Sequence, residues 1–173
     1  MTLRDLIASA LQFSDNTAAN LLLDRLGGPA GIRTALRGLG DATTHVDRTE
    51  PALNDATPGD IRDTSTPRAL STDLRLFVLG DALSRSRQQL LTNWLVGNTT
   101  GGPYIRAGVP TGWRVGDKTG NGGYGTRNDI AIAWPAGGAP IAIAVLSDRG
   151  LPHVPSDDAL IADATRTALA ALH

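Results

Sequence analysis

The chain contains one lysine and one glutamate among its 173 residues, and each lies in a short polar motif. Lys118 belongs to Lys118-Thr119-Gly120, and Glu50 is followed four residues later by Asn54. The other charged side chains are arginine and aspartate, which indicates a biased composition. A lysine is a compact charge with a tunable pKa, and a glutamate reaches one carbon further than an aspartate. These two residues are therefore candidates for chemistry that arginine and aspartate cannot perform. Alternatively, they occur in turns by chance and have no functional role.

A third polar motif, Ser14-Asp15-Asn16, interrupts an apolar pattern near the start of the sequence. Residues 3–11 follow the spacing of an amphipathic helix, and Thr2 with Asp5 resembles a capping box. Residues 17–26 predict a second helix. Ser14 thus stands between two helices, where its hydroxyl group can donate and accept in a proton relay or can act as the N-cap of the second helix.

The remaining pattern predicts the elements that must position these motifs. Further helices are predicted over residues 29–38, 71–83 and 86–96, whereas residues 41–70 predict a long loop, a feature that is usually functional. Strands are predicted over residues 114–119, 129–134 and 140–147, followed by a final helix capped by Ser156. The expected fold class is α+β in one domain: a helical part to about residue 110, then three antiparallel strands and a C-terminal helix.

Composition argues against several classes of function. A net charge of −1 gives no positive electrostatic field that would attract nucleic acid or an anionic membrane. The apolar runs are too short for a transmembrane helix. The chain has no cysteine, and its histidines at 45, 153 and 173 lack the spacing of a metal site. We therefore expect no metal, no cofactor, and neither a nucleic-acid nor a membrane partner.

Two glycine-containing segments imitate nucleotide-binding motifs. Residues 120–125 satisfy the GxGxxG pattern, but a predicted strand follows them where a dinucleotide site requires a helix. They are predicted to form a hairpin turn. Residues 116–119 resemble the end of a phosphate loop, but Asp117 occupies a position that this motif requires as glycine.

The three polar motifs, in this order and at these separations, resemble the signatures of class A serine β-lactamases. The resemblance extends through residues 17–23, Arg127 and the strand that begins at Asp129, and it covers essentially the whole chain. It implies hydrolysis of a β-lactam amide through an acyl-enzyme, with a β-lactam as the small-molecule partner. It also implies a monomeric enzyme that acts in the periplasm or after secretion.

The resemblance further assigns roles to individual residues. The implied catalytic residues are Ser14, Glu50, Asn54 and Lys118; the substrate-binding residues are Asn16, Thr119, Gly120, Asn121 and Arg127; and Arg48 and Asp63 form an ion pair that ties the long loop. Ser14 would pass a proton to the lactam nitrogen, and Glu50 with Asn54 would activate the hydrolytic water. The Asn121 N–H would be an oxyanion donor. Arg48 and Asp63 could instead form a solvated surface pair. We also predict that the Glu50-Pro51 bond is cis.

One signature of the family is missing from these residues. Lys118 is the single lysine, and no serine lies three residues before it, so the Ser-x-x-Lys nucleophile motif is absent. The chain is therefore expected to be a C-terminal portion of the enzyme, nearly inactive alone. The alternatives are a non-catalytic fragment that binds β-lactam carboxylates, or one half of a complemented enzyme. A penicillin-binding transpeptidase is a further alternative, but such enzymes lack a water site of the kind that Glu50 and Asn54 would form, so the presence of this pair argues against it.

The two ends of the chain carry further expectations. The first residues lack the features of a signal peptide, so the chain as given would stay in the cytoplasm. Met1 is expected to be an internal methionine or an artificial boundary. The resemblance implies that the apolar strand over residues 140–147 normally pairs with a missing N-terminal strand. Its edge is therefore expected to be open, so that the chain self-associates or needs an N-terminal half.

Overall fold

The computed structural model describes residues 1–172. The helices are α1 (Leu3–Gln12), α2 (Asn16–Arg25), α3 (Gly28–Gly38), α4 (Pro67–Val78), α5 (Arg85–Val96), α6 (Ile105–Gly108) and α7 (Asp158–Ala170). The strands are β1 (Arg114–Asn121), β2 (Arg127–Trp134) and β3 (Ile141–Ser147), and a single 3-10 turn covers Ala52–Asn54. The predicted α+β fold is confirmed. The short α6 and the 3-10 turn were not predicted.

The helix caps confirm one prediction and correct two. Thr2 and Asp5 form the predicted capping box at the start of α1. The N-cap of α2 is Asp15 rather than Ser14, and the N-cap of α7 is Asp157 rather than Ser156. In both cases the carboxylate of the next residue accepts the backbone hydrogen bond, since an ionised acceptor is stronger than a hydroxyl group.

The three strands form an antiparallel sheet in the order β1-β2-β3. Lys118 on β1 lies opposite Ile130 on β2, and Ile130 lies opposite Ala144 on β3. The glycine-rich segment after β1 joins two paired strands, so the predicted hairpin turn is confirmed. Within residues 1–172, β3 pairs with β2 alone, and its other edge is open.

Helices cover both faces of the sheet and hold β1 in place. One buried cluster contains Leu74 and Val78 of α4, Leu95 of α5 and Ile132 of β2. A second cluster, on the opposite face, joins the α6 region and α7 to β1 and β2 through Tyr104, Ile105, Val115, Ala131, Ala133 and Ile161. On the α5 side, Leu95 and Val96 lie against Gly116 of β1, so the strand that carries the Lys118 motif is packed from both sides.

The first two helices are much less buried. No residue of α1 is buried, and α2 buries Ala18. Phe13 is 64% exposed and Leu21 is 49% exposed, although both are large apolar residues. None of the helices within residues 1–172 is long and apolar enough to span a membrane.

Candidate active site

Lys118 lies in the middle of β1 and reaches the polar loop between α1 and α2. Its Nζ donates to Ser14 Oγ at 2.9 Å and to the Thr119 carbonyl oxygen at 2.7 Å. Burial lowers the pKa of Lys118, while the nearby carboxylates oppose this shift. Because Ser14 Oγ accepts from the ammonium group, the proton of its own hydroxyl group remains available for another acceptor.

The backbone at Ser14 places this hydroxyl group toward Lys118. Ser14 has φ of 56°, a left-handed conformation that is uncommon for residues other than glycine. Just before it, the carbonyl oxygen of Gln12 accepts from both the N–H and the hydroxyl group of Thr99, at 2.9 Å and 2.7 Å. The end of α1 is thereby fixed to the segment that follows α5. No sequence pattern indicated this role of Thr99.

Glu50 and Asn54 meet in the long loop as predicted. The 3-10 turn over Ala52–Asn54 brings the two side chains together, and Asn54 Nδ2 donates to Glu50 Oε2. The Glu50-Pro51 bond is cis, which confirms that prediction. Asn20 of α2 holds the Glu50 backbone, because its amide group exchanges two hydrogen bonds with the Glu50 N–H and carbonyl, both at 2.9 Å. Sequence reasoning missed Asn20, although asparagine within a helix is a weak signal of such a role.

Arg48 and Asp63 form the predicted pair across the long loop. Arg48 Nε lies 2.6 Å from Asp63 Oδ2, and their side chains are 15% and 7% exposed. Asp63 Oδ1 also accepts from the N–H groups of Asp47 and Arg48 at 2.7 Å and 3.0 Å. Burial opposes ionisation of Asp63, but these hydrogen bonds keep its pKa below the ordinary value. The geometry therefore favours a loop tie over a solvated surface pair.

Two of the other predicted binding residues, Thr119 and Gly120, lie near the end of β1. Thr119 Oγ1 lies 2.6 Å from Thr100 Oγ1, and Gly120 follows it opposite Asn128 on β2. Asn16 is exposed at the start of α2, two residues after Ser14.

Arg127, at the start of β2, is held on several sides. Its Nε donates to Asp158 Oδ1 at 2.7 Å, and its terminal nitrogens donate to Ser156 Oγ and Asn121 Oδ1. Its guanidinium lies 5.4 Å from the centroid of the Tyr104 ring. The hydroxyl group of Ser156, predicted as a helix cap, thus serves Arg127 instead. Arg127 therefore lies beside Asn121, directly opposite it in the β1–β2 pairing.

Two buried carboxyl groups lie behind Lys118. Asp117 accepts from Arg106 Nε at 2.6 Å and from Asn98 Nδ2 at 2.7 Å. Burial, followed by the charge of Asp117, raises the pKa of Asp129 to about 8. The sequence did not identify either group as buried. No group of three or more possible metal-ligating side chains occurs within the described residues, and His173 lies outside them.

Comparison with known proteins identifies the family. A family model described as the β-lactamase enzyme family matches residues 1–172. The chain belongs to this family. It is 60% identical to a β-lactamase of Amycolatopsis lactamdurans over 99% of the chain and 57% of that protein. It is 54% identical to β-lactamase AST-1 of Nocardia asteroides over 99% of the chain and 56% of that protein.

A solved structure supports the same assignment. The crystal structure of a halotolerant bacterial β-lactamase matches with a TM-score of 0.98 and 54% identity, covering 99% of this chain and 66% of that one. The chain spans a little over half the length of the curated β-lactamases it matches. The family and the fold are therefore established from both sequence and structure.

Proposed function

We propose that the chain supplies the proton-transfer, carboxylate-binding and water-activating groups of a serine β-lactamase. The observation that carries this proposal is the direct hydrogen bond from Lys118 Nζ to Ser14 Oγ. The substrate would be a β-lactam, whose amide is cleaved through an acyl-enzyme. The Glu50–Asn54 pair, fixed by Asn20, favours this activity over a transpeptidase.

The proton needed at the lactam nitrogen would come through Ser14. Since Lys118 donates to Ser14 Oγ, the hydroxyl proton can point away from Lys118 and toward a leaving nitrogen. The ammonium group also stabilises negative charge that develops on Ser14 as the proton departs. In this role Ser14 is a relay and does not form the acyl bond.

The hydrolytic water would be activated by Glu50. Asn54 donates to Glu50 Oε2, which leaves the other carboxylate oxygen free to accept a proton from water. Because Asn20 holds the Glu50 backbone, this carboxylate is positioned before substrate binds. Positioning of this kind lowers the cost of reaching a productive geometry.

The carboxylate of the substrate would lie between Lys118 and Arg127. Two cations and the Thr119 hydroxyl group form a charge-assisted pocket for an anion. Asn16 would bind the acylamino side chain of the substrate, and the backbone N–H of Asn121 would contribute to the oxyanion hole.

The acyl bond requires a nucleophile that these residues do not provide. The 173 residues contain no Ser-x-x-Lys motif. Removal of the catalytic serine from a triad hydrolase lowers turnover by about 10⁶. We therefore expect residues 1–173 alone to bind β-lactam carboxylates at most, and to hydrolyse them when a segment with the nucleophile completes the site. The complete enzyme would act in the periplasm or after secretion.

Hydrolysis of nitrocefin tests this proposal. Residues 1–173 would be compared with a chimera. In the chimera, residues 1–173 follow the N-terminal part of the Amycolatopsis lactamdurans β-lactamase, the part that lies outside the match. We expect hydrolysis by the chimera and background rates from residues 1–173 alone. In the chimera, Glu50→Gln should accumulate an acyl adduct detectable by mass spectrometry, whereas the exposed Asp163→Asn should not.

Three results would contradict the proposal. Hydrolysis by residues 1–173 at the rate of the chimera would show that the nucleophile lies within them. Unchanged turnover in the Glu50→Gln chimera would remove Glu50 from the mechanism. A folded chimera with no turnover and no acyl adduct would favour the non-catalytic alternative.

A further inference from the structure

The two ends of the long loop are joined at a neck, which we define as residues 41–45 together with residues 64–66. Thr44 Oγ1 lies 2.7 Å from Ser65 Oγ, and the His45 N–H donates to the Thr64 carbonyl at 2.8 Å. Since the loop carries Glu50, the stability of the neck bears on the position of that side chain.

A buried aspartate lies at the base of the neck. Asp41 is 7% exposed, and its Oδ1 accepts from the N–H groups of Thr43 and Thr44 at 2.7 Å and 3.0 Å. Its Oδ2 is buried and accepts no hydrogen bond from a backbone N–H, an amide, a hydroxyl group or a cationic side chain of residues 1–172. Asp73, on α4, lies within hydrogen-bond reach of this carboxylate. Two carboxyl groups thus face each other where the loop returns to the helices.

The nearby cation does not neutralise this pair. From α3, Arg37 donates to the backbone carbonyl of Asp41 and, at 3.0 Å, to that of Thr44. Both hydrogen bonds go to carbonyl oxygens rather than to a carboxylate. Two adjacent carboxylates cannot both ionise without strong repulsion, so one proton between them would satisfy the buried oxygen.

We propose that Asp41 and Asp73 share one proton and form a pH-sensitive clasp that closes the neck of the loop. Asp41 is the ionised partner, because hydrogen bonds from Thr43 and Thr44 outweigh burial and keep its pKa below the ordinary value. Asp73 carries the proton, since burial, followed by the charge of Asp41, raises its pKa to about 6. Loss of this proton leaves two facing charges and weakens the clasp.

The direction of the pH effect follows from these pKa values. The pKa of Asp73 is raised from 3.8 to about 6 when the chain is folded. The stabilisation is therefore complete below about pH 4 and is lost as the pH rises through about 6. Between pH 5 and pH 7.5, the equilibrium constant for local opening of the neck should increase about tenfold.

Amide hydrogen exchange at Thr43 and Thr44 measures this opening directly, because both N–H groups donate to Asp41 Oδ1. Protection factors would be measured on residues 1–173 at pH 5 and pH 7.5, after correction for base-catalysed exchange. We expect protection in the wild type to fall about tenfold over this interval. Asp73→Asn keeps a donor toward Asp41 at every pH, so its protection should change less than about twofold.

Two further variants keep this test decisive. Asp81→Asn, at an exposed position, should respond to pH as the wild type does. Asp73→Ser provides a neutral donor if the asparagine variant does not fold. A wild-type protection factor that is independent of pH would overturn the proposal, as would an equal fall in a folded Asp73 variant. The measurement does not depend on β-lactam hydrolysis, so its outcome is separate from that of the proposed function.

Discussion

Asp129 permits a quantitative test of the electrostatics behind Lys118. Its carboxyl group is fully buried on β2, where Oδ2 accepts from the Ile105 N–H at 3.0 Å. Its Oδ1 meets no hydrogen-bond donor from the described part of the chain. With a pKa raised to about 8 by burial and by the charge of Asp117, the group is protonated at neutral pH. Asp129→Asn replaces it with an amide of similar shape that cannot ionise.

The expected effect is a difference in how stability depends on pH. The pKa of Asp129 rises from 3.8 to about 8 on folding, so the folded chain binds the proton more tightly. This stabilisation is complete below about pH 4 and is lost as the pH rises through about 8. Since each pKa unit corresponds to about 1.4 kcal/mol, the loss reaches at most about 6 kcal/mol. The variant should therefore gain about 3–4 kcal/mol relative to the wild type between pH 5 and pH 8.

Urea unfolding at pH 5, 6, 7 and 8 measures this difference. Both proteins would be studied at low micromolar concentration, and the free energy of unfolding of the variant would be compared with that of the wild type at each pH. Asp163→Asn, at a position whose side chain is 68% exposed, is the matched control and should show a constant difference. A difference between Asp129→Asn and the wild type that does not change with pH would refute the reasoning.

Three further perturbations address the loop, the Glu50 backbone and the open edge. Asp63→Asn should accelerate proteolysis within the loop roughly tenfold, because it removes the buried charge partner of Arg48, which then keeps only its ion pair with the exposed Asp55; an unchanged rate would contradict the loop tie. Asn20→Ala should lower the free energy of unfolding by roughly 1–3 kcal/mol in urea titrations, because two hydrogen bonds to Glu50 are lost; an equal effect of the exposed Asn16→Ala would contradict this. Ala144→Lys should reduce self-association in sedimentation experiments, because a charge protects an open strand edge; wild-type association would point to another surface.

The elements with strong local patterns could be predicted from the sequence, whereas their ends could not. The β-branched runs between glycine and proline correctly indicated all three strands. The helix predicted over residues 71–83 instead covers Pro67–Val78, because Thr66 caps it and proline occupies its first position. At Ser14 and Ser156, both candidate caps are followed by aspartate, and a local pattern does not show which side chain has a better partner elsewhere.

In the site, contacts between residues close in sequence could be predicted, whereas contacts between residues distant in sequence could not. Glu50 and Asn54 are four residues apart, so a turn was enough to predict their contact. The contact between Asn20 and Glu50 spans 30 positions and depends on how α2 packs against the loop. The Asp41–Asp73 pair was missed for another reason: aspartates are common in this sequence, and burial of particular carboxyl groups depends on tertiary packing.

Protonation of Asp129 bears on how Lys118 can hold an anion. Asp117, Asp129 and Glu50 are the carboxyl groups whose charges favour the ammonium form of Lys118. Asp117 is already paired with Arg106, and Glu50 accepts from Asn54. A neutral Asp129 adds no negative charge near Lys118. Fewer protein carboxylates therefore balance the positive charge of the ammonium group. Under the proposed function, a substrate carboxylate would then supply the missing charge and would gain more from Lys118 than it would beside three ionised acids.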